Sequence, residues 1–129
     1  MAERPEVRFY SAEPETGAPA AATFASGVPT EVEYTPSFVD GSGSKALIPR
    51  VWEHVAGLAD GGFALPLDEV ADATRVLAER ARVIPEGAGA LATAAALSGR
   101  VDGKRIVCIV SGGNIDARVF ARILEGETP

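Results

Sequence analysis

Positive charge is scarce in this sequence. Twelve Lys and Arg face 18 Asp and Glu, giving a formal net charge of −6 and a pI near 4.8. Such a chain offers no basic footprint for a nucleic-acid backbone or an anionic membrane surface, so neither is an expected partner. Cysteine is limited to Cys108, which excludes an internal disulfide framework. No charged start leads into an apolar signal-type segment, and no apolar run approaches the roughly 18 residues of a membrane span. The cytoplasm is therefore the expected compartment. Histidine is limited to His54, which has no Ser, Cys or Asp partner at motif spacing and stands near Trp52 as a surface or packing residue. What remains is ordinary: 129 residues, 47% hydrophobic and 23% charged, the composition and size of one globular domain spanning 1–129. That length suffices for one core but is short for an enzyme of two lobes.

Periodicity divides the chain into alternating elements. Residues 7–12 are rich in β-formers and run into Glu13-Pro14, which reads as a short strand ending in a loop. Residues 18–25 predict a helical turn or two stopped by Gly27, and residues 36–44 a loop. Leu47, Val51 and Val55 mark one face of a helix over 45–56, with Pro49 admissible only in its first turn. A strand over 63–67 leads into the clearest helix, 68–82, with Val70, Ala73, Leu77 and Ala81 on one stripe. Acid at its start and Arg80 and Arg82 at its end fit the helix dipole. A second helix, 86–97, is alanine on nearly every side and must be packed closely by neighbours. Residues 105–110, Arg-Ile-Val-Cys-Ile-Val, read as a strand covered on both faces, with Cys108 a buried, inert thiol. A turn at Ser111-Gly112-Gly113-Asn114 precedes a helix over 115–124 with Ile115, Val119 and Ile123 at helical spacing, and residues 125–129 form a frayed tail. Strands alternating with helices predict an α/β domain with a mostly parallel sheet flanked by helices.

The turn 111–114 is the most informative feature. It places a hydroxyl and free backbone N–H groups at the carboxyl end of a strand, where ligands sit in open α/β sheets. The plain alternative is a strand-to-helix turn in which glycine permits positive φ and Ser111 or Asn114 caps the helix. The loop Gly41-Ser42-Gly43-Ser44-Lys45 lacks the spacing of a phosphate loop and reads as a plain connection.

Residues 109–116, Ile-Val-Ser-Gly-Gly-Asn-Ile-Asp, resemble the C-terminal end of the catalytic region of serine/threonine dehydratases, fold type II pyridoxal-phosphate enzymes related to tryptophan synthase β. Three further segments agree in order. Tyr10-Ser11-Ala12-Glu13-Pro14-Glu15 looks like the segment that follows the family's glycine-rich phosphate loop. Val39-Asp40-Gly41 is similar to its Ala-Asp-Gly. Glu86-Gly87-Ala88-Gly89-Ala90 resembles its Glu-Pro-Ala-Gly-Ala, with Gly87 in place of the proline. The resemblance covers nearly the whole chain and implies part of the tryptophan synthase β-like fold.

It also implies roles. Ser111 would hydrogen-bond the pyridine nitrogen of pyridoxal phosphate, which suits a neutral ring because a hydroxyl does not force protonation. Gly112 and Gly113 would let backbone approach the ring, with Asn114 supporting the turn. Glu86 matches a carboxylate near the cofactor, or else is a first-turn acid at a helix N-terminus. Glu13 matches a residue that binds a divalent cation in some members, but Pro19 stands where an aspartate is expected, so the metal-ligand set is incomplete. The family's Schiff-base lysine and phosphate cradle both lie upstream of the matched segments, and the two lysines here, Lys45 and Lys104, match neither. The expected function is therefore that of a C-terminal fragment or split subunit of a threonine/serine ammonia-lyase. Such enzymes deaminate a hydroxy amino acid to a 2-oxo acid by β-elimination, and this part alone should be inactive. Its expected partner is the missing N-terminal half or another copy. The alternative is a non-catalytic α/β binding or assembly module derived from that fold.

Overall fold

The computed structural model describes residues 6–129. Strand β1 spans Tyr10–Pro14 and pairs in parallel with β2, Gly61–Leu65, with Tyr10 opposite Gly61 and Pro14 opposite Leu65. Both strands are displaced from their predicted positions, and the pairing explains why. Asp60 donates its N–H to Phe9 O at 2.7 Å and accepts from Phe9 N at 2.8 Å, so the ladder starts there rather than at Val7. At the other end Glu15 N donates to Leu65 O at 2.8 Å. Strand length is set by the partner, not by the run of β-formers.

Helix α1, Pro19–Ser26, follows β1 and ends at Gly27, whose φ of 77° lets its N–H reach Thr23 O. Helix α2, Pro49–Val55, is shorter than the predicted 45–56 because Pro49 sits in its first turn. None of its residues is buried, so the Leu47–Val51–Val55 face meets no core. Helix α3 spans Leu67–Val76, with Asp68 and Glu69 in its first turn. Where the sequence predicted a continuous helix to Arg82, the backbone widens into a π-helical turn over Leu77–Ala81 and closes on Arg82 at φ 59°, with Val83 N bonded to Leu77 O. The buried stripe is consequently Val70, Ala71, Ala73 and Thr74, while Ala81 is exposed.

Helix α4, Gly87–Leu97, packs against α3 and both strands. Its small side chains allow that proximity: Ala90, Leu91, Ala94 and Ala95 join Val39, Leu65, Val70 and Ala73 in the core. Helix α5, Ala117–Leu124, packs on α3 and buries Ile123. Beyond it the tail is tied back rather than frayed, since Glu127 N bonds Arg122 O and its carboxylate meets Arg122 Nε at 2.7 Å.

The strand predicted over 105–110 does not form. That segment makes no backbone–backbone hydrogen bond among the described residues, and Val107 and Ile109 are 87% and 74% exposed. Cys108 is not buried. It is half-exposed, with its thiol against Ala92 O at 3.4 Å. An apolar run becomes a covered strand only where a neighbouring strand takes its N–H and C=O groups, and among the described residues none does so. The architecture is α/β with a two-stranded parallel sheet flanked by helices.

Candidate functional site

Three segments distant in sequence converge at the N-terminus of α4. Glu86 donates its backbone N–H to Gly112 O at 3.2 Å, pinning the 111–114 turn to the helix. Two glycines make that contact possible. A Cβ at Gly89 would fall on the carbonyl oxygen of Ser111, and a Cβ at Gly112, which has φ 75°, would fall on the Glu86 carboxylate. Gly41 closes the third side, its Cβ position lying 3.5 Å from Glu86 Oε1 and 3.1 Å from the Ala88 Cβ. A cleft of about 70 Å³ opens among Phe38, Asp40, Glu86, Asn114 and Asp116.

Capping of the helix that follows the turn falls to a different residue. Helix α5 is capped by Asp116, whose Oδ1 accepts from Arg118 N at 2.8 Å and Val119 N at 3.2 Å. Neither Ser111 nor Asn114 is used for that purpose. The Ser111 hydroxyl is exposed and makes no hydrogen bond among the described residues. Glu86 holds the N-cap position of α4 without a side-chain capping bond, its carboxylate turned toward Gly41 and Gly112. Gly87, in the position where the resemblance has proline, is buried, its Cβ position 3.0 Å from Val39 and 3.1 Å from Phe38. Sequence reasoning missed Phe38 and Asp116. The second carried a signal, an aspartate immediately before an apolar-periodic run, which is a helix-start signature.

Glu13, near the end of β1, has a structural role. Its Oε1 accepts from Ala20 N at 3.2 Å and its Oε2 from Ala21 N at 2.9 Å, so both oxygens serve the first turn of α1. Burial pushes its carboxyl above the ordinary value, and the two N–H donors pull in the opposite direction. Pro19 is fully buried in the first turn of that helix. Among the described residues no group of three His, Cys, Asp or Glu side chains is placed to hold a metal ion. Lys45 and Lys104 are both exposed, outside helices and strands. His54 is exposed on α2, its Nδ1 2.7 Å from Arg50 O. A larger cavity, about 440 Å³, lies between the π-helical segment and α5, lined by Ala78, Glu79, Arg82, Ile84, Phe120 and Leu124.

Known proteins are similar to this chain in sequence and in fold. The family model described as pyridoxal-phosphate dependent enzyme matches residues 1–112. L-threonine ammonia-lyase of Thermotoga maritima is 36% identical over 121 residues, 93% of this chain and 30% of the relative. The catabolic L-threonine dehydratase of Staphylococcus aureus is 38% identical over 101 residues, 74% of this chain and 29% of the relative. Among solved structures, maize serine racemase superposes with a TM-score of 0.81 at 28% identity, covering 94% of this chain and 39% of its own. A T.th. threonine deaminase gives 0.76 at 27%, covering 88% and 42%. The 129 residues thus span about 30% of the length of the curated relatives they match. A family match over 112 of 129 residues, with relatives in register along most of the chain, shows that the chain belongs to the pyridoxal-phosphate dependent enzyme family.

Proposed function

We propose that these 129 residues are the C-terminal part of the catalytic region of a threonine or serine ammonia-lyase. They supply one wall of the cofactor site and turn over no substrate by themselves. One observation carries the reading: the 111–114 turn is fixed against Glu86 and Gly89 at the N-terminus of α4, with the Ser111 hydroxyl exposed and engaged by no other group among the described residues. The residues fit pyridoxal phosphate at its ring. Ser111 offers one O–H to a pyridine nitrogen, and Gly112 presents bare backbone where a side chain would block approach. Nothing here matches the phosphate cradle or the lysine, which on this reading come from outside the 129 residues.

Pyridoxal phosphate, when bound, supplies the electron sink that makes the Cα–H of an amino acid acidic enough for β-elimination to a 2-oxo acid and ammonia. The chain's own residues orient. The Ser111 hydroxyl would hydrogen-bond the ring nitrogen without delivering a formal charge, since a hydroxyl leaves a pyridine neutral where a carboxylate favours its protonation. Glu86 is a positioning residue. Its N–H holds Gly112 O, and its carboxylate fills the space between Gly41 and Gly112, so it fixes the height of the turn above α4. The cytoplasm is the compartment that suits a free thiol such as Cys108.

The test is reconstitution. The chain is mixed with pyridoxal phosphate and threonine or serine, alone and with the portion of Thermotoga maritima L-threonine ammonia-lyase that precedes its matched region. Release of a 2-oxo acid is expected only in the combined sample. Borohydride treatment of the chain alone should leave Lys45 and Lys104 unmodified. Turnover by the chain alone, or a reducible adduct at one of these lysines, would overturn the reading.

A further inference from the structure

Aspartate stands directly before glycine at Asp40-Gly41, Asp60-Gly61 and Asp102-Gly103. This pair has a chemistry of its own. Glycine has no side chain to shield its amide nitrogen, which can attack the carboxyl carbon of the preceding aspartate and close a cyclic imide. The reaction needs a carboxyl group free to turn back and an amide N–H not committed to a backbone bond. It also needs stabilisation of the negative charge that spreads onto the intervening carbonyl oxygen as the N–H loses its proton.

The structure treats the pairs differently. At Asp60-Gly61 the carboxylate accepts from Phe9 N at 2.8 Å, Asp60 N donates to Phe9 O at 2.7 Å, and Gly61 opens β2 opposite Tyr10. The sheet holds both reacting groups in place. At Asp40-Gly41 the surroundings have the wrong sign: Glu86 Oε1 lies 3.5 Å from the Cβ position of Gly41, and the Ala88 Cβ 3.1 Å from it. A carboxylate there opposes charge on the amide, and little room is left for a ring.

Asp102-Gly103 meets every condition. Both residues are exposed, outside helices and strands. Neither the Asp102 carboxylate nor the Gly103 N–H has a hydrogen-bond partner among the described residues. The space is open, since a Cβ at Gly103 would meet nothing nearer than Arg105 O at 3.9 Å. The exposed guanidinium of Arg8 donates to Asp102 O at 2.6 Å, and that oxygen is the one onto which the charge of the attacking amide spreads.

We propose that Asp102-Gly103 is a self-modification site, at which Arg8 promotes conversion of Asp102 to isoaspartate ahead of Asp40 and Asp60. The step consumes nothing but water, which it also returns. The Gly103 nitrogen forms a bond to Asp102 Cγ, a Cγ–O bond breaks, and the carboxyl OH leaves with the Gly103 proton as water. Water then adds to one of the two imide carbonyls. Addition at Cγ breaks the new bond and restores aspartate. Addition at the main-chain carbonyl breaks the original peptide bond, so the chain runs on through Cγ and the former main-chain carbonyl becomes a free carboxylate. That group is the one Arg8 already meets, so the guanidinium exchanges a carbonyl acceptor for a charged one. The main chain gains one methylene between α4 and the segment that leads to the 111–114 turn.

The experiment holds the chain at neutral pH over weeks and follows all three pairs in one sample by peptide mapping with electron-transfer fragmentation, which distinguishes isoaspartate from aspartate. Isoaspartate is expected at 102 at least about tenfold faster than at 40 or 60, where structure must first open. Arg8→Ala should slow the change at 102 by about two- to fivefold and leave the rate at 40 unaltered, with circular dichroism confirming that the fold is retained. In urea the three rates should converge, because the reacting dipeptide is the same in each. Earlier isoaspartate at 40 or 60, an unchanged rate at 102 in Arg8→Ala, or a preference for 102 that persists in urea would overturn the proposal.

Discussion

Strand β2 and the arm at 105–110 are both short and apolar, yet they have opposite fates. Leu65 at the end of β2 is completely buried, while Ile109 is 74% exposed. The difference lies in neighbours rather than composition. β2 has β1 on one edge and α1 and α4 against it, so its backbone is paired and its side chains meet a core. The arm has α4 on one face and nothing on its edges among the described residues. Hydrophobic burial is favourable only where another surface completes it, and an unpaired strand cannot be buried without stranding its peptide groups. The 111–114 turn sits at the end of the arm, so the segment proposed to meet the cofactor adjoins the one with the fewest backbone partners among the described residues.

That contrast is most easily broken by truncation. Leu65→Ala should cost about 2–5 kcal/mol, because the cavity is enclosed by Val39, Val70 and Ala90 in the same core. Ile109→Ala should change stability by less than about 0.5 kcal/mol. Urea titration followed by circular dichroism measures both, and equal losses would mean the arm is packed in solution. Next in size is Gly89→Ala. In an exposed helix alanine would gain up to about 1 kcal/mol over glycine. Here its Cβ meets the Ser111 carbonyl, which is backbone and cannot rotate away, so a net loss of about 1–3 kcal/mol is expected, with amide shifts concentrated at 111–114. Ser111→Ala should leave the melting curve unchanged within about 0.5 kcal/mol, since the hydroxyl has no partner to lose. Its effect should appear only in the completed assembly, as weaker pyridoxal-phosphate binding measured by fluorescence titration.

The same contrast explains what could be read from the sequence. Helices α1, α3, α4 and α5 were legible because each carries its own signals: Gly27 as a stop, acids in the first turn of α3, small residues throughout α4 and helical spacing through Ile123. The convergence of Asp40-Gly41, Glu86 and Ser111-Gly112 was not a local property. It depends on α4 carrying Gly89 beneath the Ser111 carbonyl, a tertiary contact that spacing cannot express. The arm was misread for the complementary reason. Ile106 to Val110 has the composition of a doubly covered strand, and composition cannot say whether the cover lies within the same 129 residues. The widening at Leu77–Ala81 likewise left no trace in a stripe whose spacing is equally good for an unbroken α-helix.

The smallest expected effect concerns Glu13, in the finished half of the molecule, and it sharpens the contrast through pH. Burial holds its carboxyl above the ordinary glutamate value, despite the two N–H donors of α1 that favour the charged form. In the unfolded chain the group ionises at the ordinary value, so between that pH and the higher folded value the native state binds more protons than the unfolded one. Stability from this group is therefore complete below the ordinary glutamate range and declines as pH rises through the folded pKa. Glu13→Gln removes the titration but keeps one carbonyl acceptor for Ala20 or Ala21. Urea midpoints of the parent chain and the variant, compared from pH 4 to pH 7, should show the parent losing ground to the variant as pH rises. A difference that stays flat across that range would mean that the N–H groups of Ala20 and Ala21 offset the burial of the Glu13 carboxyl in full.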